Sequence, residues 1–472
     1  MIKKNIIQKN VVDIRLFKSS PSVSLQQEAS AWCNEKLLPA IEKRLERYAS
    51  KEEVIRLDTV SLELANPGKE LTEELAEKVA LEIERVIESK INSIIKDTEV
   101  KTQPKEKSFI ETLIFFLLNG YLPWWSDVKT VADFYEQWNE NRTGFSAEDT
   151  QALKEILRQP VAARRLASIH PQQILLQMLS TVFDAGYDSL EKHLMIAEKL
   201  KAIIHDKNLQ ENFIVNVKEI LSTTIQRGKF LASDEVIFQM LSLIISRFQI
   251  DKDTVLTFFQ DHSILSKSEL AGIKKSLSKI AGKSPLSDES ETFDKSAKKK
   301  EKQAKQKKEG IYISNAGLVI VAPFLPGFFQ NIGVALNNGL NNKDLATAIV
   351  QWLVTGNEEY AEFELVLPKI LCGMEPEDNI TMIDAIPGTF KQEGVELLQS
   401  VIEHWSILKN TSIEGLRLNF LQREGKLSFI KNEWLLQVEQ KAYDMLLQHL
   451  PWNISMIKLP WMPKLLKTEW VS

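Results

Sequence analysis

The sequence predicts a mainly α protein with small α/β parts: an N-terminal βαβα module, a helical middle, a Lys-rich linker, and a mostly helical C-terminal domain with a short β-hairpin. Three observations carry this expectation. Apolar residues recur at helical spacing along most of the 472 residues, as with Leu25, Trp32, Leu37, Leu38, Ile41 and Leu45 between Ser24 and Tyr48. Alternation is confined to short stretches such as Val54 to Leu64, where Ile55, Leu57, Val60, Leu62 and Leu64 stand among Arg56, Asp58, Ser61 and Glu63. One block, residues 282–309, offers almost nothing to bury.

In chain order, residues 1–104 read as strand, helix, strand and helix. Ile6 to Phe17 is rich in β-branched residues, Ser24 to Tyr48 is the first helix, and Val54 to Leu64 is a half-buried strand. Asn66-Pro67-Gly68 is a turn before a second amphipathic helix, Leu71 to Ile95. Residues 105–281 are helical throughout. Phe109 to Trp125 is an apolar helix stopped at Asn119-Gly120 and Pro123. Further helices are broken near Gly144, Pro160, Pro171, Gly186, Gly228 and Asp251. Residues 282–309 form a charged, disordered linker ending in KSAKKKEKQAKQKKEG, read as a solvated tether. Residues 310–472 form a C-terminal docking domain, with helices near 343–355, 361–372, 390–405 and 412–422. KLSFIKNEWLLQVEQ reads as two short strands about Lys431-Asn432-Glu433. A last helix, Ala442 to Leu450, precedes an extended Ser455 to Leu459.

Composition narrows the function classes. Hydrophobic residues make up 44% and charged residues 26%, ordinary values for a soluble globular protein. A net charge of −5 over this length gives no case for nucleic acid as a partner. The charge is uneven: residues 266–309 hold 13 lysines against 7 acidic residues, whereas residues 310–472 hold 12 basic against 18 acidic residues. Two distant cysteines, Cys33 and Cys372, exclude a disulfide scaffold and point to a reducing compartment. Both read as small buried hydrophobes rather than nucleophiles. The lysine-containing start, MIKKNIIQKNVVDIRLF, lacks the apolar core of a signal peptide, so cytoplasmic synthesis is expected. Six histidines occur without HExxH, HxH or a His/Cys cluster. GxSxG, GxxxxGK[ST] and GxGxxG after a strand do not occur. No catalytic residue, metal ligand or cofactor is therefore expected, and nothing argues for an enzyme.

Two features stand out. Ile311 to Asn342 carries no charge, and Ala316 to Phe329 is an uninterrupted run of small and apolar residues. A membrane-spanning helix needs about 20 apolar residues. This run is shorter and holds Pro323 and Pro326, which would free backbone groups in lipid. A buried strand or helix start at LVIVAPFL, then a second short helix, fits better; membrane contact is the minor alternative. Leu-Pro-Trp also occurs three times, at Leu122 to Trp124, Leu450 to Trp452 and Leu459 to Trp461. Proline can end an element while the indole covers the end of a core. Alternatively the indoles anchor a partner, which makes Trp124, Trp125, Trp452 and Trp461, with Phe324 and Phe328, candidate docking residues.

The segments IYISNAGLVIVAPFLPGFF, WLVTGNEEYAEFELVLPKILCG, HWSILKNTSIEGLRLNFLQREGKL and LPWNISMIKLPWMP closely resemble the C-terminal part of contractile injection system tape measure proteins. IIQKNVVDIRL, KLLPAIEKRLE, IRLDTVSLEL and FLLNGYLPWW resemble that family's opening domain. The resemblance implies a structural role in a bacterial phage-tail-like particle. The chain would occupy the lumen of the inner tube and fix how many tube and sheath rings stack before capping. It implies the inner tube, a baseplate or hub protein and a tube terminator as partners, with room for several copies of the chain in one tube. Alternatives are an adaptor or chaperone of the same apparatus, and a delivered membrane-perforating protein.

Overall fold

The computed structural model describes residues 23–46, 53–57, 71–93, 100–169, 172–183, 252–261 and 310–470 apart from 338, 384 and 409, together with isolated positions between 60 and 274. The expected strand Ile6 to Phe17, the Asn66-Pro67-Gly68 turn, the 282–309 linker and the breaks near Pro171, Gly186, Gly228 and Asp251 lie outside the described residues. The chain divides into two compact units, residues 1–111 with 143–145 and residues 112–142 with 146–472.

In the first unit, α1 (Val23–Trp32) continues through a π-helical turn into α2 (Leu38–Leu45), which packs on α3 (Glu73–Ser93). Trp32, Leu37, Ala40 and Ile41 meet Leu75, Ala76 and Ala80. Alanine at the last two positions leaves room for the bulkier side chains opposite. The Trp32 indole donates to Thr72 O at 2.8 Å, and Arg44 reaches Glu77 and Glu84 at 2.9 and 3.0 Å. Strand β1 (Glu53–Leu57) pairs antiparallel with β2 (Val100–Pro104), a partner strand the sequence reading missed.

In the second unit, α4 (Lys105–Asn119) supplies its last turns and stops where expected, at Gly120 with φ +80°. Then come α5 (Val131–Asn141), α6 (Ala147–Leu157), α7 (Pro160–Ala167) and α8 (Gln172–Phe183). Thr130 and Ser146 cap α5 and α6, each in a reciprocal box with an aspartate three residues on. Further along is α9 (Lys252–Asp261).

The C-terminal part begins with β3 (Ile311–Ile313). Ala316–Ile320 follows as a 3₁₀ helix with every residue fully buried, so the uncharged segment enters the core as neither a strand nor an α-helix. A second 3₁₀ turn, Ala322–Phe324, leads into α10 (Leu325–Asn331) and a small hairpin of β4 (Ala335–Leu336) and β5 (Gly339–Leu340). At the centre lies α11 (Lys343–Thr355), buried on every side from Ala346 to Val354. It is capped by the Asn342 side chain and ended by Gly356 at φ +73°. Its last carbonyls would be orphaned inside a core. Arg417 instead donates to Leu353 O and Gln422 to Val354 O, at 3.1 Å each.

Around this helix stand the 3₁₀ turn Glu362–Leu365, α12 (Val366–Leu371), α13 (Gly388–His404), the 3₁₀ turn Ser406–Leu408, and α14 (Ile413–Leu416) running into a π-helical turn, Arg417–Leu421. The expected hairpin is present as β6 (Gly425–Ile430) and β7 (Glu433–Val438). Its turn is Lys431-Asn432 alone, both at positive φ, as a tight two-residue connection requires. The expected last helix is the 3₁₀ helix Ala442–His449. The extended stretch contains β8 (Met456–Ile457), and β9 (Leu466–Glu469) completes a five-stranded sheet in the order β3-β6-β7-β9-β8. Only β7 and β9 run parallel.

Candidate docking surface and buried ion clusters

Four of the six candidate docking residues, Phe324, Phe328, Trp452 and Trp461, meet at the apolar entry segment. The Trp452 indole donates to Ile320 O at 3.0 Å, and its ring stands edge-on to Phe324 with centroids 4.9 Å apart. Trp461 donates to Leu371 O at 2.7 Å and packs beside Phe329. Ile320 ends a 3₁₀ helix and Leu371 ends α12, so each indole satisfies a carbonyl that a helix end leaves open. Phe328 is buried, whereas Phe324, Trp452 and Trp461 keep part of their surface in solvent. Trp124 and Trp125 stand edge-to-face at 5.8 Å, both half-buried, and Trp125 leans on Phe115. Phe115 in turn packs on the C-terminal core.

A second set of apolar side chains escaped the sequence reading. Ile407, Leu418 and Met445 are 45%, 56% and 65% exposed, on three short helical turns. Those turns meet around Trp405, Phe420 and Tyr443, whose rings stand edge-to-face in series at 4.8 and 5.6 Å. Short 3₁₀ and π turns carry no 3.6-residue period, which is why the pattern was not visible.

Two buried ion clusters organise the interior. In the first, Arg165, fully buried, places Nε 3.0 Å from each carboxylate oxygen of Glu362. It also donates to Leu117 O, Glu377 O and Asn379 Oδ1. Lys369, equally buried, gives its three protons to Glu362 Oε1, Pro376 O and Asp378 O at 2.7, 3.2 and 2.7 Å. Gly120 sits against this group: a Cβ there would lie 2.8 Å from Glu362 Oε1 and 2.9 Å from Arg165 Nη2. In the second, Arg423 makes a two-pronged contact with Asp444 at 2.8 Å on both arms.

The chemistry of these groups is structural. Burial pushes the Lys369 ammonium below its usual range against the pull of Glu362, but all three of its donors are engaged and it has no exposed surface. Burial raises the Cys372 thiol to about 12, so it is a core residue rather than a nucleophile. A cleft beside the first cluster, between Phe116, Phe134, Tyr135, Phe363 and Met382, holds about 20 Å³, the room of a single water. Among the described residues no group of three or more His, Cys, Asp or Glu is placed to hold a metal ion. Among them, too, no helix is long and apolar enough to cross a membrane.

One carboxyl gives a pH signature. Burial raises Glu364 to about 7, helped by nearby Asp133 and opposed by the Ala361 N–H that its Oε2 accepts at 2.6 Å. The folded chain therefore keeps this proton to about pH 7, while the unfolded chain releases it near pH 4.5. Stability from this group is full below about 4.5 and is lost as pH rises through about 7. Glu364→Gln stays neutral, and is expected to remove on the order of 1–2 kcal/mol of the loss, allowing for screening at a half-buried site. Urea unfolding of both chains at pH 5 and pH 8 checks this through the difference between them.

Comparison with known proteins agrees with a structural reading. A family model described as contractile injection system tape measure protein matches residues 4–470, nearly the whole chain. No curated protein and no solved structure gives a significant match.

Proposed function

Because the chain belongs to the contractile injection system tape measure proteins, we propose that it sets the length of the particle's inner tube and of the sheath around it. This rests on the extent of the match, which takes in both ends of the chain and everything between them. A ruler needs a folded end that docks and a length of chain that reaches. The C-terminal part supplies the first, with a continuous core running from Ile311 to Trp470. Residues 180–260, where the sequence pattern predicts helix, would supply part of the second, at most about 120 Å at a helical rise.

In this reading the chain lies in the tube lumen, one end on a baseplate or hub protein and the other on the growing tip or its terminator. The partially exposed rims of Phe324, Trp452 and Trp461, and of Trp124 and Trp125, are proposed docking contacts, with Phe328 supporting them from the core. Such half-buried aromatic anchors offer a large area at little entropic loss. Family membership points to structural work. Electron microscopy of particles assembled with shortened or lengthened 180–260 segments tests the proposal. Length should follow the segment, and particles of unchanged length would refute it.

A further inference from the structure

We propose that the buried Arg165–Glu362–Lys369 cluster is a releasable latch, holding α6 to α8 on the C-terminal body and letting them open as a unit while the body stays folded. The opening itself is a property of the fold; its use in extending the ruler rests on the proposed function.

The helices before the C-terminal part are not attached in the same way. Contacts of α4 and α5 with it include several rings: Phe116 and Phe134 pack on Phe363 at 5.6 and 6.0 Å, Phe115 and Tyr121 join the core, and the Val131 N–H that opens α5 bonds to Glu364. For α7 the hydrogen-bonded contacts run through one arginine, beside the buried Ala162, Ala163 and Leu166. Arg165 reaches Glu362, Glu377 and Asn379, and Asn379 returns a hydrogen bond to Val161 O at 3.2 Å. Pulling apolar rings into water forfeits their burial. Pulling a buried guanidinium into water restores its hydration, which offsets most of the attraction lost, so an ionic contact fixes register without binding tightly.

The charge count also favours release. With Arg165 in place, two cations share one carboxylate, and Arg165 adds to what depresses Lys369. When Arg165 leaves, Glu362 and Lys369 remain paired at 2.7 Å within one short stretch of the body. No uncompensated charge stays behind. Opening also breaks the bonds from Arg165 to Leu117 O on α4 and from the Trp138 indole on α5 to Gln177 on α8, 2.6 and 2.9 Å long, and uncovers part of the fully buried Trp138 ring. These two bonds and the indole area add to the ionic contact as the cost of opening.

Hydrogen exchange of the full chain tests the latch. In Arg165→Met, amides of 147–167 and 172–183 are expected to exchange roughly tenfold faster or more, while those of β6 and β7 keep their protection. Lys369→Met, which leaves the neutral Arg165–Glu362 pair, should keep the segment closed. Equal acceleration in the helices and the sheet would overturn the latch, as would no acceleration in Arg165→Met. Should that variant not fold, the unaltered chain decides. At sub-denaturing urea, 147–183 should lose protection before 425–438, and simultaneous loss would overturn the proposal. A failed latch leaves particle length free to follow segment length, and a failed ruler leaves the local opening intact, so the two are separable.

Discussion

Asp444→Ala is expected to lower the stability of the C-terminal part by about 3–5 kcal/mol, a large share of what a domain has. Asp444 accepts both arms of Arg423, the Trp470 indole at 3.1 Å and the Lys441 backbone N–H at 2.9 Å. Arg423 is fully buried, its guanidinium lying near the Trp470 and Tyr443 rings. It also donates to Glu439 O and Asn419 O, while its own carbonyl accepts from Ala316 N at the start of the apolar entry segment. Alanine removes four acceptor contacts at once and leaves a cation in the core with no counter-charge. Asp444→Asn, which keeps the shape and part of the bonding, should fall between the two. Urea unfolding followed by tryptophan fluorescence measures it, and a loss below about 1 kcal/mol would show that the cluster does not pin the fold.

The second large effect is expected at Gly317, inside that entry segment. A Cβ there would stand 1.7 Å from Phe420 O and 2.7 Å from Leu421 Cα, so even alanine forces two backbones apart. Gly317→Ala should cost on the order of 3 kcal/mol or more, as overpacking against backbone has no side chain to yield. Gly327, ten residues on in α10, is the internal control. Nothing lies within 4 Å of the corresponding Cβ, and the backbone is helical. Gly327→Ala should be neutral or stabilising by up to about 1 kcal/mol. Similar thermal midpoints for the two variants would contradict the packing described here.

What the sequence disclosed was local. The central helix α11 announced both its ends, through Asn342 and Gly356, because capping needs only neighbouring residues. The β6–β7 hairpin was legible for the same reason, its strands meeting across a two-residue turn. Strand β9 was not, since a four-residue segment becomes a strand only through its parallel pairing with β7. The entry segment misled in a specific way. Leu318 to Val321 reads as strand or helix start, but Pro323 and Pro326 lack N–H donors and the segment coils in tight 3₁₀ turns.

The candidate site was half visible. Leu-Pro-Trp drew attention to indoles that the fold seats on helix-end carbonyls, but gave no sign of those carbonyls, Ile320 O lying 132 residues from Trp452. The ion clusters left no trace at all. Arg165 and Glu362 are 197 residues apart and look like two ordinary surface charges, because in a sequence a buried ion and a solvated one are written alike.

The ruler is tested most directly by particle length as a function of chain length. Removing 20 residues between 180 and 260 should shorten the tube by about 30 Å at the 1.5 Å per residue of a helix. Adding 20 should lengthen it by the same amount, and an extended segment would raise the step to about 66 Å. The expected result is a straight line of tube length against segment length, with uniform particles at each point. Particles of one length across the whole series would contradict it.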